Sequence, residues 1–371
     1  VDISNWSKNP TDAGYLLRIE TGTGFSHHRD NREGWEKISQ ANRMNAKDIE
    51  LNAHSGKLDL THTDLTSRDK TGQRLADSHI SLYGRDGIDY QAGLDLGQYK
   101  GRQQNSGVEV GTAVSVGAKT GWSFYLQLGF GQGKQDSEFQ TVRNSQIDTE
   151  RLSLKTGDST KSSPQADAHL RGVTAKARVI ETDIQGDLTV ESLQSHAKSK
   201  NTSSGLNLQV EGGFGSAWGA SVGAQAAKGT TEYHQVLEQA GLFAEDHYNV
   251  KADNVHLKGA AITGQNPEAN RLETNALTFE DIHNHSSSKA SSGSLNLNLK
   301  QTADEQIDNK TGKVVKENAP DSTLVKGERS GGVNGGLPMS QSDSDSSLTK
   351  ATLSEGTIIL TKDTTPIATT A

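Results

Sequence analysis

Two histidine groupings carry residue types suited to metal chemistry. His27 and His28 are adjacent, and His283-Asn284-His285 reads as an HNH triplet. A nuclease of that name needs its histidines dispersed over a ββα-metal scaffold. Here the triplet stands inside a repeat whose sister copy reads Gln194-Ser195-His196, so solvent-facing residues are the better reading. A polysaccharide lyase would need an acidic cluster to hold calcium and an Arg or Lys to abstract a proton. Asp86 and Asp89 flank a turn at Gly87, and Asp343 and Asp345 lie in a Ser-Asp run, so neither pair makes such a cluster. No catalytic, metal or cofactor-binding residue is therefore assigned, no cofactor is expected, and a lyase-like enzyme is kept only as the alternative function. Six residues remain as candidate partner contacts. Trp122 and Trp218, near Phe124, Tyr125 and Phe214, are either platforms for a sugar or protein partner or large core residues beside glycine-rich turns. His196 with Lys200 and His285 with Lys289 recur in register, as a ladder of cations or as a by-product of duplication.

That register comes from an internal repeat. Leu188 to Leu208 reads LTVESLQSHAKSKNTSSGLNL and Leu277 to Leu297 reads LTFEDIHNHSSSKASSGSLNL, ten of 21 positions being identical at a shift of 89 residues. A trimmed third copy begins at Leu94, and Glu138 to Val142 aligns with Glu232 to Val236. A unit of roughly 90 residues recurs.

Within it, apolar residues alternate with polar ones over four to six positions, the period of a strand. Examples are Ile49, Leu51 and Ala53; Leu58 and Leu60; Leu206, Leu208 and Val210; Val255 and Leu257; and Leu295, Leu297 and Leu299. Short strands, turn punctuation and a long repeat predict an all-β fold, a right-handed parallel β-helix, with all of these positions facing inward. At 20 to 25 residues per coil, one unit would be about four coils, each adding about 4.8 Å. Glycine-rich segments from Gly107 to Gly133 and from Gly205 to Ala227 are expected as loops or hairpins within or off the rod. The span from Asp304 to Ser347 has almost no apolar periodicity and reads as a flexible linker. The expected division is 1–45 as stalk continuation or irregular segment, 46–300 as β-helix, 301–350 as polar linker and 351–371 as a following element or tail.

Composition agrees with a thin core: of 371 residues only 31% are hydrophobic and 5% aromatic, while 39 are glycine. A net charge of −8 argues against nucleic acid as a partner, and the absence of cysteine excludes disulfides. No apolar run approaches the roughly 18 residues of a membrane helix, so the chain is not expected to be membrane-embedded. It begins Val1-Asp2-Ile3 and reads as a piece of something longer.

LKGAAITGQ at Leu257 to Gln265 and NRLETNALTFEDIHNHSSSKASSG at Asn270 to Gly293, with the Leu-Asn-Leu endings, resemble the haemagglutinin repeat region of two-partner-secreted filamentous proteins. The region also resembles the second filamentous-haemagglutinin repeat region of contact-dependent inhibition proteins. The resemblance covers roughly Ala46 to Leu299. It implies a non-enzymatic stalk, secreted to the cell surface of a Gram-negative bacterium in association with the outer membrane. It also implies an outer-membrane transporter as export partner, and either adhesion to a receptor on host or neighbouring cells or display and delivery of a C-terminal toxin.

Overall fold

Short alternating runs of this sequence pair in parallel with runs one circuit further on, as in a coil. Asp48–Ala53 pairs with His79–Gly84, and Leu58–Thr61 pairs with Ile88–Gln91. The computed structural model describes residues 17–116, 121–158, 166–213, 218–301, 305–308, 314–315, 322–325 and 329–362, and these hold strands, turns and bends without helix. Stacked partners run as ladders along the coil. On one side the ladder is Met44, Leu65, Ile147, Ala175, Leu242, Ile262 and Leu353. The next side carries Leu51, Leu82, Leu154, Thr182, Val250, Leu272 and Ile358, and the third Leu60, Tyr90, Leu170, Val190, Leu257 and Phe279. Most of these side chains are buried in one continuous core. Tyr90 is the large polar exception. Its hydroxyl donates to the Thr63 carbonyl at 2.6 Å, and burial pushes its pKa up.

A second sheet stands off the coil. Seven long strands pair antiparallel: Leu17–Lys37, then the hairpins Gly93–Val116 with Gly121–Arg143, Ser195–Gly213 with Trp218–Gln235, and Ile282–Gln301 with Arg329–Thr349. The glycine-rich segments are thus largely hairpin strands. Residues 117–120 and 214–217, including Phe214, lie outside the described residues.

This arrangement corrects the expectation of four coils per repeat. Between one hairpin and the next the chain makes two circuits, one through Ser145–Thr156 and Ala168–Arg171 and the other through Val173–Asp183 and Leu188–Glu191. The remainder of each unit is the hairpin. Corners alternate accordingly. His62, Gly172 and Gly259 close tight corners with φ of 42°, 63° and 53°, and the equivalent corner one circuit later each time releases a hairpin. A Cβ on Gly172 would lie 2.7 Å from the Ala92 Cβ, so glycine is required there by space as well as by φ.

Two circuits advance the coil by about 9.6 Å, and the two strands of a hairpin occupy about 9.6 Å of sheet. Because the two advances match, successive hairpins meet edge to edge and zip into one sheet.

Two further expectations change. Leu206, Leu208, Val210, Leu295, Leu297 and Leu299 lie on the lateral sheet and outside the coil core; Leu206 is 45% exposed and Leu297 40%. Residues 329–349, expected within a flexible linker, form a strand paired with Ile282–Gln301, after which Thr352–Leu353 and Thr357–Leu360 rejoin the coil. An edge strand needs only a neighbour's backbone hydrogen bonds, which a reading of apolar side chains does not detect.

Candidate interaction surface

Alternation along the strands gives the lateral sheet two unlike faces. One register row across all seven strands is Phe25, Val108, Leu128, Leu208, Val222, Leu297 and Val333. Flanking rows on the same face carry Val110, Leu126, Val210, Ala220 and Leu299, and Phe130, Leu206, Ala224 and Leu295. Phe124 and Trp218 lie one row further out, beside a hollow that Leu126 and Val210 help to line. Many of these side chains are exposed, so the face is an apolar band without a covering layer among the described residues.

Toward the coil the same face becomes charged. Arg102 and Lys134 are paired, with Lys228 in the same row, and the next row holds Lys100, Asp136, Lys200 and Lys289. Lys134 lies 2.9 Å from Asp136 and holds that carboxyl below the usual carboxylate range. Glu232 is lowered in the same way, first by the His234 hydrogen bond and then by Lys198. At the root, His196, His234 and His285 stack with ring centroids 5.5 and 4.8 Å apart.

The sequence candidates whose side chains are described are therefore dispersed over one face. His196 and His285 are joined through His234, which was not singled out although the alignment of Gln140 with His234 could have indicated it. Lys200 and Lys289 flank Thr230 two rows further out on the same face, and Trp218 sits near the tip. Trp122 is paired with Val114, and its side chain lies outside the described residues. Among the described residues no three His, Asp or Glu side chains converge as a metal group.

The middle residue of the HNH triplet has a structural task. Asn284 is buried; it accepts hydrogen bonds from the Val236 N–H at 3.0 Å and the Gln194 amide at 3.1 Å, and donates to Thr349 Oγ1 at 2.8 Å. It ties three chain segments together where hairpins leave the coil. At the first hairpin Asp95 does similar work. Burial works against its charge, but Arg143 at 2.7 Å and the Ser39 N–H at 2.8 Å outweigh it and hold the carboxyl below the usual range.

Residues 23–206 match the hemagglutinin repeat. The chain is similar to a tRNA nuclease CdiA of Yersinia mollaretii, with 24% identity over 76% of this chain and 9% of that protein. It is also similar to a Toxin CdiA of Escherichia coli, 28% identical over 61% of this chain and 7% of that protein, and to a deoxyribonuclease CdiA of Dickeya dadantii, 22% identical over 78% and 8%. The chain thus spans less than a tenth of the length of these relatives. No solved structure matches it. The hemagglutinin-repeat region of such proteins is structural, and two-partner secretion implies an outer-membrane transporter. The repeat match over residues 23–206 and the CdiA relatives support the filamentous-haemagglutinin and contact-dependent-inhibition family for this chain, and CdiA and hemagglutinin-repeat proteins are secreted, surface-exposed proteins of Gram-negative bacteria.

Proposed function

We propose that the chain is a stalk segment that presents its lateral sheet to a neighbouring cell and supports delivery of a toxin carried elsewhere in a longer protein. The observation that carries this reading is the apolar band, which is held outward on seven strands by a coil that needs none of it for its own core. The names of the relatives, two nucleases and a toxin, favour delivery over adhesion alone. A right-handed winding of the coil belongs to this reading, since parallel crossovers pack back onto a sheet in that sense.

The test uses the parent protein with residues 197–233 replaced by a short turn, which removes the second hairpin beyond its root. Display at the cell surface, measured by antibody, should persist because the coil core is untouched. Contact with and inhibition of neighbouring cells should be lost. Full inhibition with normal display would overturn the reading.

A further inference from the structure

The face opposite the apolar band carries a groove that the stalk role does not use. It crosses all seven strands of the lateral sheet and has a volume of about 930 Å³. Its floor includes Gly101, Gly133 and Gly229, each in mid-strand and none with positive φ. A Cβ on any of them would find its nearest neighbours at 3.8, 3.7 and 4.0 Å, ordinary contact distances. Neither the backbone nor the packing of this chain therefore requires glycine at these positions. Glycine inside a strand costs stability and marks places where a ligand or another backbone comes close. By contrast, Gly97 nearby is filled from within, since its Cβ would lie 2.2 Å from the Phe139 ring.

Along this floor stand the amides of Gln103, Gln135, Asn201 and Gln341, and neighbouring Ser203 and Ser292. Amides offer donors and acceptors together and carry no charge. Alternation sends the side chains of Lys134 and Lys228 to the other face. At one end Tyr99 is partly exposed, stacked on Phe139 at 6.3 Å and 17°, with its hydroxyl donating to Glu36 at 3.0 Å. Asp30 and Arg32 also line the groove at its first strand, where they pair with each other at 2.8 Å and offset one another's charge. The result is a fixed aromatic platform, a self-neutralised ion pair beside it, and a row of uncharged hydrogen-bonding groups across the remaining strands.

From this geometry we infer that the groove binds a linear, neutral oligosaccharide lying across the strands, with Tyr99 under one ring and the amides taking the hydroxyls. Strands lie about 4.8 Å apart, close to one pyranose unit of an extended glycan, so successive sugars meet successive strands. A polypeptide is the poorer fit. Extended peptides bind sheets along an edge, where backbone groups are free, and here the interior strands use theirs in the ladders. The inference stands independently of the stalk reading.

The experiment is calorimetric titration of the full 371-residue chain with cellohexaose, chitohexaose and maltohexaose, with a Gly-Ser-Asn peptide of similar length as control. At least one hexasaccharide should bind and the peptide should not. Gly133→Val and Gly229→Val should each weaken binding by about tenfold or more while leaving the melting temperature unchanged or raised, because a side chain there fills the groove without a clash. Tyr99→Ala should weaken it by a similar factor, and Phe130→Ser on the opposite face should leave it unchanged. Failure of all three sugars to bind at millimolar concentration overturns the inference. So does binding that survives both glycine substitutions, or a peptide that binds as well as the sugar.

Discussion

The coil and the lateral sheet are built from the same sequence pattern and put it to opposite uses. In the coil, alternation sends Leu82, Tyr90 and Leu257 into a core where each is fully buried. In the sheet, the same alternation collects Leu128, Leu208 and Leu297 into a band that remains partly in solvent. Period two defines a strand with two unlike faces, and it does not say what lies against either face. The two regions are joined by a matching of lengths, two circuits to one hairpin, and that match lets the hairpins form a sheet wider than any single repeat.

The contrast breaks most sharply under a charge. Leu257→Asp places an unpaired carboxylate in the coil core and should cost several kcal/mol, enough to abolish cooperative unfolding of the coil in a denaturant titration. Leu297→Asp, on the open face, should change the unfolding free energy from the same titration by less than about 1 kcal/mol. Equal losses would mean that the sheet is covered in solution.

Corners give the next effect. Gly172→Val forces a β-branched residue to φ 63° against Ala92 and should lower stability by about 1–3 kcal/mol in thermal melts, with Gly229→Val neutral beside it. Duplicating the single circuit from 173 to 191 tests the length match itself. The coil should absorb a third circuit with little change in melting, while the pairing of Gly121–Arg143 with Ser195–Gly213 is lost, seen as faster amide exchange in those strands alone.

The smallest effect is electrostatic. Asp95 has a depressed folded pKa, so the stability it contributes is present above the ordinary carboxylate value of about 3.9 and is lost as pH falls through the folded value. Asp95→Asn should therefore lower the melting temperature by roughly 2 °C at pH 7, and the difference should vanish in acid below the folded value. A difference that grew in acid would reverse the assigned sign.

Residues written into the sequence settled a good deal. The strand class followed from alternation at Ile49 and Leu51 or Val255 and Leu257, because apolar side chains at every second position share one face only in an extended strand. The 89-residue repeat and the low apolar fraction announced a thin, repeating structure, and the Leu-Asn-Leu endings carried the family. The coil positions among these were read correctly as inward. The candidates on the sheet, His196 with His285 and Lys200 with Lys289, were found in register, but their common row and the joining His234 were not, since a row is a property of three strands at once.

What the sequence by itself determined is therefore the local element and its period: strands, turns at glycine, and a unit that recurs. Only the tertiary structure decided which alternating runs close into a coil and which leave it as hairpins. That choice depends on corners such as Gly172 and His62 and on the equality of two advances, each a sum over many residues. It also decided that Leu208 and Leu297 face outward and that the Ser-Asp stretch before Thr349 is a strand, because hydrogen-bond partners and facing layers come from distant parts of the chain.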